Sequence, residues 1–137
     1  MFCTVCFGVI TVGDSGPVRI SLTLGGHPPP LLCRSDGTSE EIGVVGTVLG
    51  IIEPSLTETS YELHAGDMLV FFTDGLTDAP HDTAVTMAEL QAAHAADPRR
   101  SPDELADHMQ ALIEARRPLG SGDDTALLIL KIDDRPT

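Results

Sequence analysis

The hydrophobic period of this chain changes twice, and those changes restrict what it can fold into. Up to Thr73 the apolar positions follow strand patterns. Val18, Ile20, Leu22 and Leu24 alternate with Arg19, Ser21 and Thr23, while Met68–Thr73 is a continuous run of β-formers. From Thr86 to Arg117 the spacing becomes helical, and after Asp124 it is extended again. Many strands, then two helices, then one strand describe an α+β sandwich with mostly antiparallel sheet.

The local signals are specific. Met1–Ile10 is apolar on both alternations, so it reads as a strand covered on both faces. The turn Asp14-Ser15-Gly16-Pro17 joins it to Val18–Leu24 as a hairpin. Gly25-Gly26-His27-Pro28-Pro29-Pro30 breaks the strand. Leu31–Arg34 and Ser39–Ile42 read as short strands about Ser35-Asp36-Gly37, and Gly43–Ile52 as a loop or an irregular edge. Thr57–Leu63 and Met68–Thr73 read as a second hairpin about His64-Ala65-Gly66-Asp67. Thr86-Met87-Ala88-Glu89 is a capping box opening a helix to about Ala95. Ser101-Pro102-Asp103-Glu104 opens another, with Leu105, Met109, Leu112 and Ile113 as its apolar stripe. Arg116 and Arg117 suit the negative end of that helix, and Pro118 stops it. Asp124–Asp133 is the last strand.

The chain's 137 residues suffice for one domain and not for two ordinary ones. Eight basic residues against 21 acidic ones leave a formal charge of −13. That balance argues against nucleic-acid binding and against an anionic membrane surface. No apolar stretch approaches the length of a membrane span, and no basic segment precedes the first apolar one, as a signal peptide would require. Three cysteines, an odd count, fit a reducing cytoplasm. Cys3 and Cys6 have CxxC spacing, but residues three apart on a strand face opposite ways, so they read as buried small hydrophobes.

Two places concentrate carboxylates at the ends of apolar strands. Asp74-Gly75 follows Met68–Thr73, and Asp123-Asp124-Thr125 precedes Ala126–Leu130. Each aspartate alone reads as a turn or cap residue. Together they admit a shared cation site, and an all-oxygen set suits Mg²⁺ or Mn²⁺ better than zinc. General acid–base chemistry by the pair is also open. The prolines after His27 make a rigid loop that either holds His27 beside a cleft or is a structural corner with His27 bonded to backbone. His64, His81, His94 and His108 are scattered and read as solvated.

Several blocks occur in a fixed order: Met1-Phe2-Cys3-Thr4-Val5-Cys6-Phe7-Gly8-Val9, Gly25-Gly26-His27-Pro28-Pro29-Pro30-Leu31-Leu32, Gly46-Thr47-Val48-Leu49-Gly50, Leu63-His64-Ala65-Gly66-Asp67-Met68-Leu69, Thr73-Asp74-Gly75-Leu76-Thr77-Asp78-Ala79 and Asp123-Asp124-Thr125. In that order they resemble the SpoIIE/RsbU-type branch of the metal-dependent (PPM) serine/threonine protein phosphatases. The resemblance covers residues 1–133, leaving 134–137 as a tail. It implies an αββα sandwich of two mostly antiparallel sheets flanked by helices, in a cytoplasmic protein.

By position, the resemblance makes Asp74 and Asp123 ligands of one Mn²⁺ or Mg²⁺ ion. Gly75, Asp124, Thr125 and His27 would support them. The reaction it implies is hydrolysis of phosphoserine or phosphothreonine, with metal ions activating water and offsetting phosphoryl charge. The partner it implies is a phosphorylated regulatory protein of the anti-anti-sigma type. The family's earlier segment, with the aspartate that bridges both metals, has no counterpart in this chain, so the resemblance is to an N-terminally incomplete domain. Gly25 stands where Ala is usual and Asp78 where Glu is common. Two function classes follow: a phosphatase domain, or a catalytically dead relative that binds a protein partner. The doubly apolar Met1–Ile10 strand further implies cover from an upstream segment or a second copy of the chain.

Overall fold

The computed structural model describes residues 1–76, 84–117 and 124–134. Two sheets stack face to face, and two helices cover one of them. Sheet I contains β1 (Val5–Thr11), β2 (Val18–Gly25), β5 (Val45–Gly46) and β6 (Glu58–Leu63). β1 and β6 flank β2 antiparallel, and β5 adds a short parallel pairing beyond the end of β6. Sheet II runs β4 (Ser39–Glu41), β3 (Leu31–Cys33), β7 (Met68–Phe72), β8 (Leu127–Lys131), antiparallel throughout.

Sheet II separates two cores, and this explains the apolar runs of its central strands. Leu32 and Leu69 face sheet I and pack with Val18, Ile20, Leu22, Leu24, Ile42 and Leu63. Their neighbours Leu31, Cys33, Met68, Val70 and Phe72 face the helices and pack with Leu90, Leu105, Met109 and Ile113. A strand buried on both faces needs apolar residues at every position. β6 covers its core on one face only and alternates accordingly. Burial raises the Cys33 thiol to about 12, with the charge of Asp67 adding to the effect, so Cys33 stays a protonated core residue.

Helices α1 (Met87–Ala96) and α2 (Pro102–Arg116) begin where their capping boxes place them. In each box the cap hydroxyl accepts the third residue's N–H, and that residue's carboxylate accepts the cap N–H. The predicted α2 stripe is the buried one, with Leu112 partly covered. The β1–β2 and β3–β4 hairpins form as expected.

Four expectations are corrected. β6 and β7 do not pair with each other. The chain crosses between the sheets at His64–Asp67, so β6 joins β2 while β7 joins β3 and β8. The crossing is held by Asp67, whose buried carboxylate accepts from Arg34 at 2.8 Å, the N–H of His64 at 2.9 Å and the N–H of Ser35 at 3.2 Å. Secondly, β1 forms but is not covered on both faces: Phe7, Val9 and Ile10 are exposed among the described residues. Thirdly, Cys3 is exposed and Cys6 only half-buried, because β1 is a sheet edge. Fourthly, His94 is fully buried on α1, its Nε2 donating to the Arg34 carbonyl at 2.7 Å. His81 lies outside the described residues, as does Pro118.

Two outcomes follow from these contacts. Asp67→Ala leaves Arg34 and two N–H groups without their acceptor and lowers unfolding free energy by about 3 kcal/mol, read from urea denaturation. The capping boxes carry the second. The Thr86 N–H holds Glu89, and the Ser101 N–H holds Glu104, below the usual carboxylate value of 4.5. A carboxylate depressed in the folded state contributes stability above its unfolded value and loses it as pH falls through the folded one. The urea midpoint of the native chain therefore drops more between pH 6 and about pH 3 than that of a Glu89→Gln, Glu104→Gln variant.

Candidate metal centre

The end of β7 and the start of β8 are adjacent because these strands pair antiparallel, with Phe72 opposite Leu127. Beyond that pair, the Thr73 N–H donates to the Ala126 carbonyl at 3.2 Å, and the Ala126 N–H donates to the Thr73 hydroxyl at 3.0 Å. Continuing the register brings Asp74 beside Thr125 and Gly75 beside Asp124. Asp74 opens a single 3₁₀ turn whose Leu76 is buried and donates its N–H to the Thr73 carbonyl at 3.1 Å. That anchor leaves the Asp74 carboxylate exposed at the strand end.

Gly75 lets the two loops touch. A Cβ at this position would stand 2.6 Å from the Asp124 carbonyl oxygen, a distance that backbone atoms do not tolerate. Asp124 is likewise exposed, and neither it nor Asp74 has a hydrogen-bond or ion-pair partner among the described residues. The nearby cation, Arg117, donates to the Thr125 hydroxyl at 2.9 Å and to the Gly75 carbonyl. Two unpaired carboxylates on touching loops form an oxygen donor set that fits a hard divalent cation. Asp123, the other expected ligand, lies outside the described residues. No group of three or more metal-ligating side chains occurs among the described residues.

His27 sits where the Gly-His-Pro-Pro segment enters β3. Its Nδ1 is 2.9 Å from the Pro28 carbonyl, which only accepts, so Nδ1 carries the proton. This is the backbone-bonded corner. The same residue also lines a cavity of about 540 Å³ with Thr73 and Ala126. Gly26 makes the corner possible, with φ of +62° and Val48 pressed against the place a side chain would occupy. The cavity continues between β1 and β8 along Cys6, Gly8, Ile10, Leu128 and Leu130.

Sequence reasoning placed Asp74, Gly75, Asp124, Thr125 and His27 on this end of the molecule but missed Arg117. Its position at the end of α2 signalled only a favourable helix-dipole charge.

The sequence profile of the family described as "Stage II sporulation protein E (SpoIIE)" matches residues 1–133. This chain belongs to the SpoIIE family. As a family member it shares 33% identity over 84 residues with Protein IcfG of Synechocystis, covering 61% of this chain and 13% of that protein. Its fold is that of the phosphatase domain of SpoIIE from Bacillus subtilis, with a TM-score of 0.76 and 20% identity, covering 98% of this chain and 60% of that one. The RsbU and RsbW domains of Rv1364c from Mycobacterium tuberculosis give a TM-score of 0.71 at 23% identity, covering 96% of this chain and 38% of that one. The SpoIIE/RsbU-type resemblance and the expected α+β sandwich are thus borne out. The SpoIIE-family chain spans less than two thirds of each of these relatives. No described helix is long and apolar enough to cross a membrane.

Gly75→Ala tests the contact between the loops. The added methyl meets the Asp124 carbonyl and forces the two loops apart, so the urea midpoint falls, while circular dichroism of the helices in the folded chain stays unchanged.

Proposed function

We propose that the chain provides one metal-binding half of a metal-dependent serine/threonine phosphatase site. The reading rests on the exposed, unpaired Asp74 carboxylate at the end of β7, which the Gly75–Asp124 contact sets beside the Asp-Asp-Thr block of a SpoIIE-family chain. Asp74 and Asp123 hold Mn²⁺ or Mg²⁺, with Asp123 assigned from its place in the Asp-Asp-Thr block. Divalent ions in such a site supply an activated water and neutralise phosphoryl charge. The protein's own contribution is positional. The β7–β8 register sets the spacing of the loops, Gly75 permits their contact, and Asp124, Thr125 and His27 line the approach. The substrate is a phosphoserine or phosphothreonine on a regulatory protein of the anti-anti-sigma type, in the cytoplasm. The acidic surface offers nothing to nucleic acid.

A second reading is a protein-binding module without catalysis. The apolar cavity between β1 and β8, with Phe7, Val9 and Ile10 exposed nearby, favours it. A phosphoserine protein and an aryl phosphate, each assayed with millimolar Mn²⁺, separate the two. The two aspartates assigned as ligands hold one metal ion, so turnover stays below about 1 s⁻¹, the low end of ordinary enzymes. Asp74→Asn removes whatever Mn²⁺-dependent turnover is present. Equal turnover in the Asp74→Asn variant sinks the assignment, and no Mn²⁺-dependent release at high protein concentration leaves the binding module as the function.

A further inference from the structure

We propose that Arg117 is a positioning residue for the metal centre, its guanidinium setting the separation of the two aspartate-bearing strand ends; this rests on the reading of those aspartates as cation ligands. The residue closes α2, its N–H donating to the Ile113 carbonyl at 3.2 Å. Ile113 and Met109 are buried against sheet II, so the base of the side chain is fixed by the core. From there one guanidinium nitrogen reaches the Thr125 hydroxyl at 2.9 Å and another the Gly75 carbonyl. Thr125 adjoins Asp124, and Gly75 adjoins Asp74. The group therefore bridges the very loops that the Gly75–Asp124 contact brings together.

The adjacent arginine shows that this is not a general property of the helix end. Arg116 turns the other way, to the Ala84 carbonyl at 2.8 Å and to Glu89. Either charge would satisfy the helix dipole, but only Arg117 reaches both loops. The bridge needs a planar fork with two donors held at a fixed spacing. A lysine ammonium is a single point of charge and cannot span the two acceptors.

Charge and geometry act in opposite directions, and this makes the inference testable. A cation beside a divalent ion repels it, so charge alone predicts tighter metal binding when Arg117 is removed. Positioning predicts the reverse. The full chain, with Mn²⁺ alone, is titrated by the loss of the free-ion electron paramagnetic resonance signal. Arg117→Lys keeps the charge and loses the fork, and its dissociation constant rises about tenfold, the low end of what is lost with a direct partner of a metal ligand, since Arg117 holds the residues next to the aspartates. Arg117→Ala also binds more weakly, by less than the lysine variant, because repulsion is relieved. Arg116→Lys binds as the unaltered chain does. Thr125→Val removes one acceptor of the bridge without touching the helix end and weakens binding severalfold, which keeps the test open if an Arg117 variant fails to fold. Unchanged Mn²⁺ affinity in the lysine and valine variants, or tighter binding by the alanine variant, overturns the positioning role alone. Absence of Mn²⁺ binding by the unaltered chain overturns the metal centre and the role of Arg117 with it.

Discussion

The buried carboxylate of Asp67 is the interaction on which the layered arrangement depends. The chain must leave sheet I after β6 and enter sheet II as β7, and it does so in the few residues of His64–Asp67. Within it the Asp67 N–H donates to the His64 carbonyl at 3.0 Å, and the Gly66 N–H reaches out to the Ile132 carbonyl at 2.7 Å. Asp67 accepts from His64 within the turn, from Ser35 beyond the end of β3, and from the Arg34 guanidinium. Arg34 also donates to the Glu62 carbonyl at 2.9 Å and accepts from His94 through its own carbonyl. One charged pair thus joins the end of sheet I, the crossing, sheet II and helix α1. Such a pair is weak as a source of net stability, because desolvation offsets much of the attraction. Its effect is to select one way of stacking the sheets.

With the stacking selected, the position of the aspartates follows from strand register. β7 is an interior strand of sheet II, and β8 lies along its free side. Residues at the carboxyl end of one and the amino end of the other must meet. The aspartates are therefore carried at strand ends fixed by two cores, while their side chains remain in water. A rigid support under an exposed donor set is what a metal site requires.

Much of this was legible in the sequence, and the failures have physical reasons. The alternation of Val18–Leu24, the capping boxes at Thr86 and Ser101, and the strand-end placement of Asp74 and Asp124 could all be read from short-range pattern. The β6–β7 hairpin was misread because a four-residue turn suits a hairpin and a sheet-to-sheet crossing equally well. The distinguishing signal was present: Glu58–Leu63 alternates, whereas Met68–Phe72 is apolar at each position, so the strands have different surroundings. His94 escaped because its partner, the Arg34 carbonyl, is sixty residues away in the chain. Arg117 escaped for a similar reason, since its acceptors lie on two loops that only the folded register brings within reach. The double apolar alternation of Met1–Ile10 correctly marked a strand, but cover on both faces was a statement about neighbours, which no local pattern supplies.

That same strand has a consequence for handling the protein. Natural edge strands carry devices against unwanted pairing: a lysine, a proline, a bulge or a covering loop. The edge strand β1, Val-Cys-Phe-Gly-Val-Ile-Thr, carries no charge and no proline, and it pairs with β2 without a bulge. Its ladder groups on the far side form a template that any extended chain can read. Across the opening stands β8, the outer strand of the other sheet, with Leu128 exposed. The strong negative charge of the chain then acts as a colloidal brake, keeping copies apart at low ionic strength and relaxing as salt screens it. Raising concentration or salt therefore brings these edges together more often.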